Sequence, residues 1–438
     1  MSLFTDSSLC LVPSGVKDGK LYSVKPTDGS GDLTFSRGSD IEATRVAANG
    51  YIQKAVVNLL LQSNQFDTSW LSSGTTETGG QAGYDGTNDA WLLQRSDGLA
   101  RFVYQFNAHT GVGTFSVYIK KGNVDWVLLS NGAGENRYFD LTNGVLGATG
   151  TAIDSKIESV GGGWFRCSIA VANSSEVRIY PAVGNGTVSG LVGANIYIQD
   201  AQLNYGLVAQ EYQETTTTSV ITGITNDMPR LDYSGGASCP SLLLEPSRQN
   251  LITNDSYFGG ADWAKSGASI TTNAVLGPDG YLTASKLVED TSTGAHITTK
   301  SNLFTATGAW YTASIFVKAA ERTYAAFSTR GNFTSNDNTL IFNLTTGEWD
   351  LDDSVQNYAL NAEAFPNGWY RISLNTNTTS GAYDGFGIGI ATGASSWIDA
   401  VYTGDGTSGI YLWGAMVEQG SYATSYIPTL SAAVTRGA

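Results

Sequence analysis

The sequence predicts an all-β protein: two tandem antiparallel β-sandwich domains, jelly-roll-like, behind a short extended N-terminal segment. Three observations predict it: the chain repeats itself, its apolar residues alternate with period two, and glycine-marked turns recur throughout. Asn58-Leu59-Leu60 with Trp70 is answered by Asn250-Leu251-Ile252 with Trp263, and Thr114-Phe115-Ser116-Val117-Tyr118-Ile119-Lys120 by Thr312-Ala313-Ser314-Ile315-Phe316-Val317-Lys318. Further on, Phe139-Asp140-Leu141-Thr142-Asn143-Gly144 is matched by Phe342-Asn343-Leu344-Thr345-Thr346-Gly347, and Gly163-Trp164-Phe165-Arg166 by Gly368-Trp369-Tyr370-Arg371. Ile196-Tyr197-Ile198 with Ala201-Gln202-Leu203 meets Ile410-Tyr411-Leu412 with Ala415-Met416-Val417. The offset between copies drifts from about 192 to about 214 residues, as loop insertions cause in a duplicated domain whose strands stay in place.

Residues 1–57 read as an attachment leader of short strands and turns, with extended pieces at Lys20–Val24 and Asp32–Phe35, no core of its own, and a partner or the first module as its dock. Residues 58–214 form the first sandwich module. In its segment 114–119 Thr114, Ser116 and Tyr118 face away from Phe115, Val117 and Ile119, the pattern of a half-buried antiparallel strand. Other strands of this copy are expected at Arg101–Phe106, Trp126–Ser130, Arg137–Leu141, Trp164–Val171, Val177–Pro181 and Ala194–Leu203. Residues 215–249 read as an extended connector, semi-rigid because its Thr-rich run favours extended backbone, with a strand at Ser241–Glu245. The second module, 250–438, repeats the strands at Ser269–Asn273, Tyr324–Thr329, Thr339–Leu344, Trp369–Asn375, Gly385–Ile390 and Gly409–Val417. No helix longer than one or two turns is expected.

Composition narrows the function. Of 438 residues 24 are basic and 39 acidic, a net charge of −15 with no Lys/Arg cluster, which argues against nucleic acid or an anionic membrane as a partner. No stretch is apolar for the roughly 18 residues that membrane insertion needs. The three cysteines, Cys10, Cys167 and Cys239, show no paired spacing and read as reduced, mostly buried thiols in a protein assembled in a cytoplasm. With only His109 and His296, a His-rich metal site or a Ser-His-Asp triad is nearly excluded. The densest acidic cluster, Asp350, Asp352 and Asp353, reads as solvated surface, so no catalytic residue is assigned. No cofactor is expected, with calcium at Asp85, Asn88 and Asp89 as the weak candidate, since turn oxygens suit a hard cation.

Aromatics repeated at equivalent positions are expected to fill the sandwich interiors: Trp70, Trp126 and Trp164 in the first copy, Trp263, Tyr324 and Trp369 in the second. Arg166 and Arg371 are expected to pair with a buried carboxylate or carbonyl. Trp397 stands in a segment without a first-copy counterpart. There it could stack on a sugar ring, with Asp399, Tyr402 and Asp405 completing a glycan site, or pack the loop onto its own sandwich or a neighbouring subunit.

The string Asp32-Leu33-Thr34-Phe35-Ser36-Arg37, with Ala43-Thr44-Arg45-Val46 and Asn49-Gly50-Tyr51-Ile52, resembles the opening of a family of tailed-bacteriophage virion proteins. The connector Pro229-Arg230-Leu231-Asp232-Tyr233, with 241–246 and 248–251, is similar to the segment that precedes their sandwich domain. The ending, residues 410–418 with 423–429, looks like the closing strand of their carbohydrate-binding-module-like, concanavalin-like sandwiches. The first copy departs from it where Gln199-Asp200 stands for Trp413-Gly414 and residues 211–215 stand for 425–429. The resemblance implies a non-enzymatic structural protein of tail fibre, head fibre or decoration type, made in the host cytoplasm and exposed on the virion. Its leader would join other virion proteins, its modules would bind bacterial surface glycans, and it would be a homotrimer. A purely architectural role and a glycan depolymerase remain as alternatives.

Overall fold

The computed structural model describes residues 3–17, 19–303, 308–328, 339–350, 359–377, 385–393 and 400–438. They form two compact units, Val56–Thr222 and Met1–Ala55 with Gly223–Ala438. Both are antiparallel sandwiches, and the one α-helix among the described residues is the four-residue turn Leu3–Asp6.

In the first unit two long strands, Phe102–Lys121 and Trp164–Ala182, pair along their whole length and serve both layers. Register shifts between Phe106 and His109 and between Thr110 and Gly113 break the ladder, and such bulges bend a strand from one layer into the next. The half Phe102–Thr110, with 173–182, builds one layer with Leu71–Ser73, Trp126–Ser130, Asn136–Asp140 and Val145–Thr149. The half Gly113–Lys121, with 164–171, builds the other with Asp154–Gly161, Asn195–Tyr205, Ala90–Arg95 and Thr75–Gln81. Phe66, Trp70, Val103, Phe115, Val127, Phe139, Ile169, Ile179 and Ile198 meet between the layers.

The second unit keeps this plan with the long strands divided. Ile297–Lys300 and Trp310–Ala319 replace the first, Trp369–Asn377 and Phe386–Ala391 the second, and two separate six-stranded sheets result. The duplication extends to single hydrogen bonds. Asn58 donates through Nδ2 to the carbonyls of Ala201 and Gln213 and accepts from the Leu60 and Leu203 amides; Asn250 does the same with Ala415, Ile427, Ile252 and Val417. Thr215 Oγ1 donates to the Leu60 carbonyl as Thr429 Oγ1 does to Ile252, and the indoles of Trp70 and Trp263 donate to the carbonyls of Gln62 and Asn254. At the left-handed position that Gly414 fills with φ 60°, the first copy holds Asp200 at 53°.

The leader differs from its expected dock: it shares a compact unit with the second sandwich. Its three-stranded sheet, Cys10–Lys17, Lys20–Lys25 and Leu33–Thr34, is followed by the hairpin Thr44–Val46 and Ile52–Lys54. That hairpin lies on the outer face of the second sandwich. The Ile52 amide donates to the Pro278 carbonyl, the Val46 amide to Asp232, and Thr44 Oγ1 to the Tyr426 carbonyl, while Ile52 packs with Phe316, Trp369, Trp413 and Tyr426. Arg230 and Arg436, buried beside the hairpin, share Glu245 at 2.7 and 3.2 Å. The expected connector divides as well: Val220–Thr222 pairs with Val56–Asn58 in the first unit, and Leu231–Asp232 with Ser241–Leu242 in the second. All three thiols are free; Cys167 is buried but Cys239 is exposed, against the expectation of mostly buried thiols.

Candidate functional site

Alternation along Phe102–Phe106 sends Val103 into the core and leaves Phe102, Tyr104 and Phe106 on the outer face of their sheet. The pairing register sets Phe102 beside Tyr180, Tyr180 beside Leu128, and Leu128 beside Tyr138, one row across four strands. Tyr104 lies opposite Arg178 and Leu71 in the next row, and Trp126 flanks Leu128 two residues along its strand. The rings touch: Phe102 to Tyr180 at 4.5 Å, Phe102 to Tyr104 at 5.4 Å, and Tyr104 to Phe106 edge-on at 5.3 Å. Arg178 lies over Phe102 at 4.7 Å, donates to the Tyr180 hydroxyl at 3.1 Å and pairs with Glu176. Phe106 is 64% and Leu71 44% exposed, Phe102, Tyr104, Trp126 and Tyr138 are half-buried, and Tyr180 and Leu128, in the middle of the row, are buried at 8% each. Large apolar side chains on a solvent-facing sheet face, with a guanidinium and hydroxyls among them, form a surface for a flat amphipathic ligand.

The same positions of the second sandwich hold small or aliphatic residues. Register places Ile297 at the position of Phe102, Gly389 at Tyr180, Ala326 at Leu128, Ile341 at Tyr138, and Gly387 at Arg178. Here the face is closed: Ile297, Ala326, Ile341 and Ala391 pack with Ala295, the last residue of Thr293–Ala295, and with Ala400, which precedes its partner strand Val401–Thr403. A Cβ at Gly389 would meet the Ile297 side chain at 2.5 Å, so an aromatic ring has no room there.

Of the glycan residues expected from sequence, Trp397 and Asp399 lie outside the described residues. Tyr402 and Asp405 do come together, around Glu289 and Arg322. The Tyr402 hydroxyl and the Asp405 amide donate to Glu289 at 2.5 and 2.8 Å, and Arg322 grips Glu289 through Nε and Nη2 at 2.9 and 2.5 Å. Asp405 itself accepts from the Thr407 and Ser408 amides and hydroxyls, and these bonds hold its carboxyl far below the usual carboxylate range. Both polar groups are thus engaged in fastening their own loop. His296 belongs to the same network, its ring nitrogens 2.5 and 3.2 Å from the carbonyls of Gly267 and Tyr402.

The calcium candidates Asp85 and Asp89 are neighbours, but Gln199 Nε2 donates to both carboxylates and Thr87 Oγ1 lies within hydrogen-bond distance of both, donating to one at a time, while among the described residues no hydrogen bond links Asn88 to them. Among the described residues no group of three His, Cys, Asp or Glu could hold a metal ion. Asp200, close by, accepts from the Tyr84 hydroxyl at 2.9 Å, and burial pushes its carboxyl up to about 6. Of the acidic trio weighed for catalysis, Asp350 ends the strand Glu348–Asp350, and Asp352 and Asp353 lie outside the described residues. Among the described residues no helix is long and apolar enough to cross a membrane.

The repeated aromatics divide. Trp70 and Trp263 sit between the layers. Trp164 and Trp369 are buried too, yet on the outer side of their sheets: Phe165, Cys167 and Ile169, like Tyr370, Ile372 and Leu374, take the inward parity. Trp164 meets Tyr84, itself stacked on Tyr118 at 3.9 Å, and Trp369 lies under the leader hairpin. Trp126 and Tyr324 are half-buried on the outer side of the other layer. Interior filling therefore describes two of the six. Arg166 donates to the Gln210 carbonyl and to Ser116, and Arg371 to Ser314.

No family model matches the chain, and no curated protein matches it. Among solved structures it is similar to the tandem CBM22-1–CBM22-2 domain of Xyn10C from Paenibacillus barcinonensis, at 12% identity over 89% of this chain and all of that one. The TM-score is 0.24, too low to support an inference about fold or ligand.

Proposed function

We propose that the protein is a non-catalytic glycan-binding component of a phage particle and that the outer aromatic face of its first sandwich receives the sugar. The observation behind this reading is the row Phe102, Tyr180, Leu128 and Tyr138 with Tyr104, Phe106 and Arg178 beside it. The apolar faces of pyranose rings stack on such rings, while Arg178 and the tyrosine hydroxyls reach the sugar oxygens. Weak single sites gain strength from copy number on a particle, since linked sites raise effective concentration. Placement on a virion rests on the sequence phrases of residues 32–52, 229–251 and 410–429. The homotrimer and a leader joined to other virion proteins are proposed on the same ground.

Glycan-array binding of the full chain beside a Phe102→Ala/Tyr104→Ala variant tests the site. Selective binding by the parent and its loss in the variant support the reading; equal binding by both overturns it. An architectural role is favoured by one observation, the hairpin Thr44–Lys54 laid over an outer sheet face of the second sandwich. In that case the aromatic row would bind another virion protein, and arrays would stay blank while labelled chain is captured by disassembled particles.

A further inference from the structure

The second sandwich carries an open cleft of about 650 Å³ beside the strand pair Arg248–Asn250 and Val434–Arg436. Leu251, Leu303 and Tyr311 give it an apolar lining; Arg248, Gln249, Gln419 and Thr435 bring polar groups to it. The Asn58–Asn250 alignment and the two terminal strand pairs fix the first-copy counterparts. Val56 stands for Arg248, Val57 for Gln249, Ile221 for Thr435, and Tyr205 for Gln419. The duplicated fold therefore accepts apolar residues at these positions, and a cation with two amides is no requirement of its packing.

Arg248 is the one charged residue of the lining, in a chain whose net charge is −15. Its Nη1 donates to the Ser247 carbonyl at 3.3 Å, and its guanidinium lies 5.7 Å from the ring of Tyr422, which is 52% exposed. Its Nε is buried and faces Glu418 in an ion pair at 3.6 Å, while the Thr424 amide and hydroxyl donate to the two Glu418 oxygens; the side chain as a whole is 21% exposed, so a ligand would meet the Nη1 and Nη2 end of the guanidinium. Gly420 makes room for this side chain, since a Cβ there would come within 2.9 Å of the guanidinium.

We infer that this cleft is a second binding site, and that its ligand is a saccharide carrying a carboxylate, of the uronic acid class. A planar guanidinium matches a carboxylate with two parallel hydrogen bonds. Gln249 and Gln419 offer a donor and an acceptor each to ring hydroxyls, while Leu251, Leu303 and Tyr311 meet the apolar edge of the sugar. The aromatic face of the first sandwich plays no part in this argument.

Isothermal titration of the full chain with a galacturonic acid disaccharide and with its neutral methyl ester is the test. The acid is expected to bind about tenfold or more tighter than the ester, a preference that shrinks with added salt. Arg248→Gln removes the preference, Arg248→Lys keeps part of it because the charge stays and the fork goes, and Gln249→Val weakens both ligands severalfold. Circular dichroism confirms that each variant is folded, and should Arg248→Gln fail to fold, the Lys variant and the salt series decide. Equal binding of acid and ester, no binding of either, or an undiminished preference in a folded Arg248→Gln protein overturns the inference. The Phe102→Ala/Tyr104→Ala variant keeps this titration unchanged, so the two sites succeed or fail separately.

Discussion

Tyr180 and Gly389 occupy one position of a duplicated fold, and what surrounds each shows where the copies were free to differ. Between the layers they agree closely: Asn58 and Asn250 make the same four hydrogen bonds, and Trp70 and Trp263 donate to equivalent carbonyls. On the outer faces they diverge. The first copy leaves the ends of an aromatic row, Phe102 and Tyr138, half-buried beside the exposed Phe106, whereas the second closes that face with the strand pair Thr293–Ala295 and Val401–Thr403. At the terminal strand pair the polarity is reversed, with Val56, Val57 and Ile221 of the first copy against Arg248, Gln249 and Thr435 of the second. The interior is constrained by packing of both sheets at once, while an outer face answers only to what lies on it.

The largest expected effect tests the shared interior. Trp70→Ala and Trp263→Ala should each destabilise their own unit by about 3–5 kcal/mol in chemical denaturation, and unequal losses would break the equivalence of the two cores. Next comes acidity. Burial raises Asp255 in the second unit and Asp200 in the first to about 6 from an ordinary 3.8, so the folded state holds these protons more tightly than the unfolded one. The contribution is favourable below pH 4 and declines as pH rises through 6, by about 2–3 kcal/mol at most for the fully buried Asp255. Asp255→Asn should flatten this slope for the second unit alone and Asp200→Asn for the first alone, read from melting temperature against pH.

Exchanging the outer faces comes third. Phe102→Ile with Tyr104→Thr gives the first copy the residues of the second, and should cut glycan affinity about tenfold while shifting the melting temperature little. The smallest effect concerns calcium: with Asp85 and Asp89 already engaged by Thr87 and Gln199, chelator should move the melting temperature by less than about 1 °C.

Much of the interior was legible in the sequence because period-two alternation and repetition act together there. Strands such as Trp126–Ser130 follow directly from that pattern. Trp164 and Trp369 were misplaced for a physical reason. They share a parity with Arg166 and Ser168 and with Arg371, Ser373 and Asn375, the outer side, yet chain segments cover that side as well, so a large aromatic is buried there without belonging to the interior. The covering hairpin was hidden from local patterns because its partners stand nearly 190 residues away, as Val46 does from Asp232. The aromatic face had a readable signal that was missed: Phe102, Tyr104 and Phe106 stand at alternate positions, and Ile297-Thr298-Thr299-Lys300 gives no answer to them. Repetition drew the reading to residues that recur, while this surface lies among those that do not.

The division of the second unit around the first has a consequence for biosynthesis. Residues up to Ala55 leave the ribosome before the Val56–Thr222 unit and pair their own strands, yet the groups that Arg37, Thr44 and Val46 bond to, from Thr225 to Tyr426, are translated after it. At about 5–20 residues per second the nascent hairpin waits about ten to thirty seconds for the inserted unit alone, its strand edges unpaired and open to chaperones or to a sister chain.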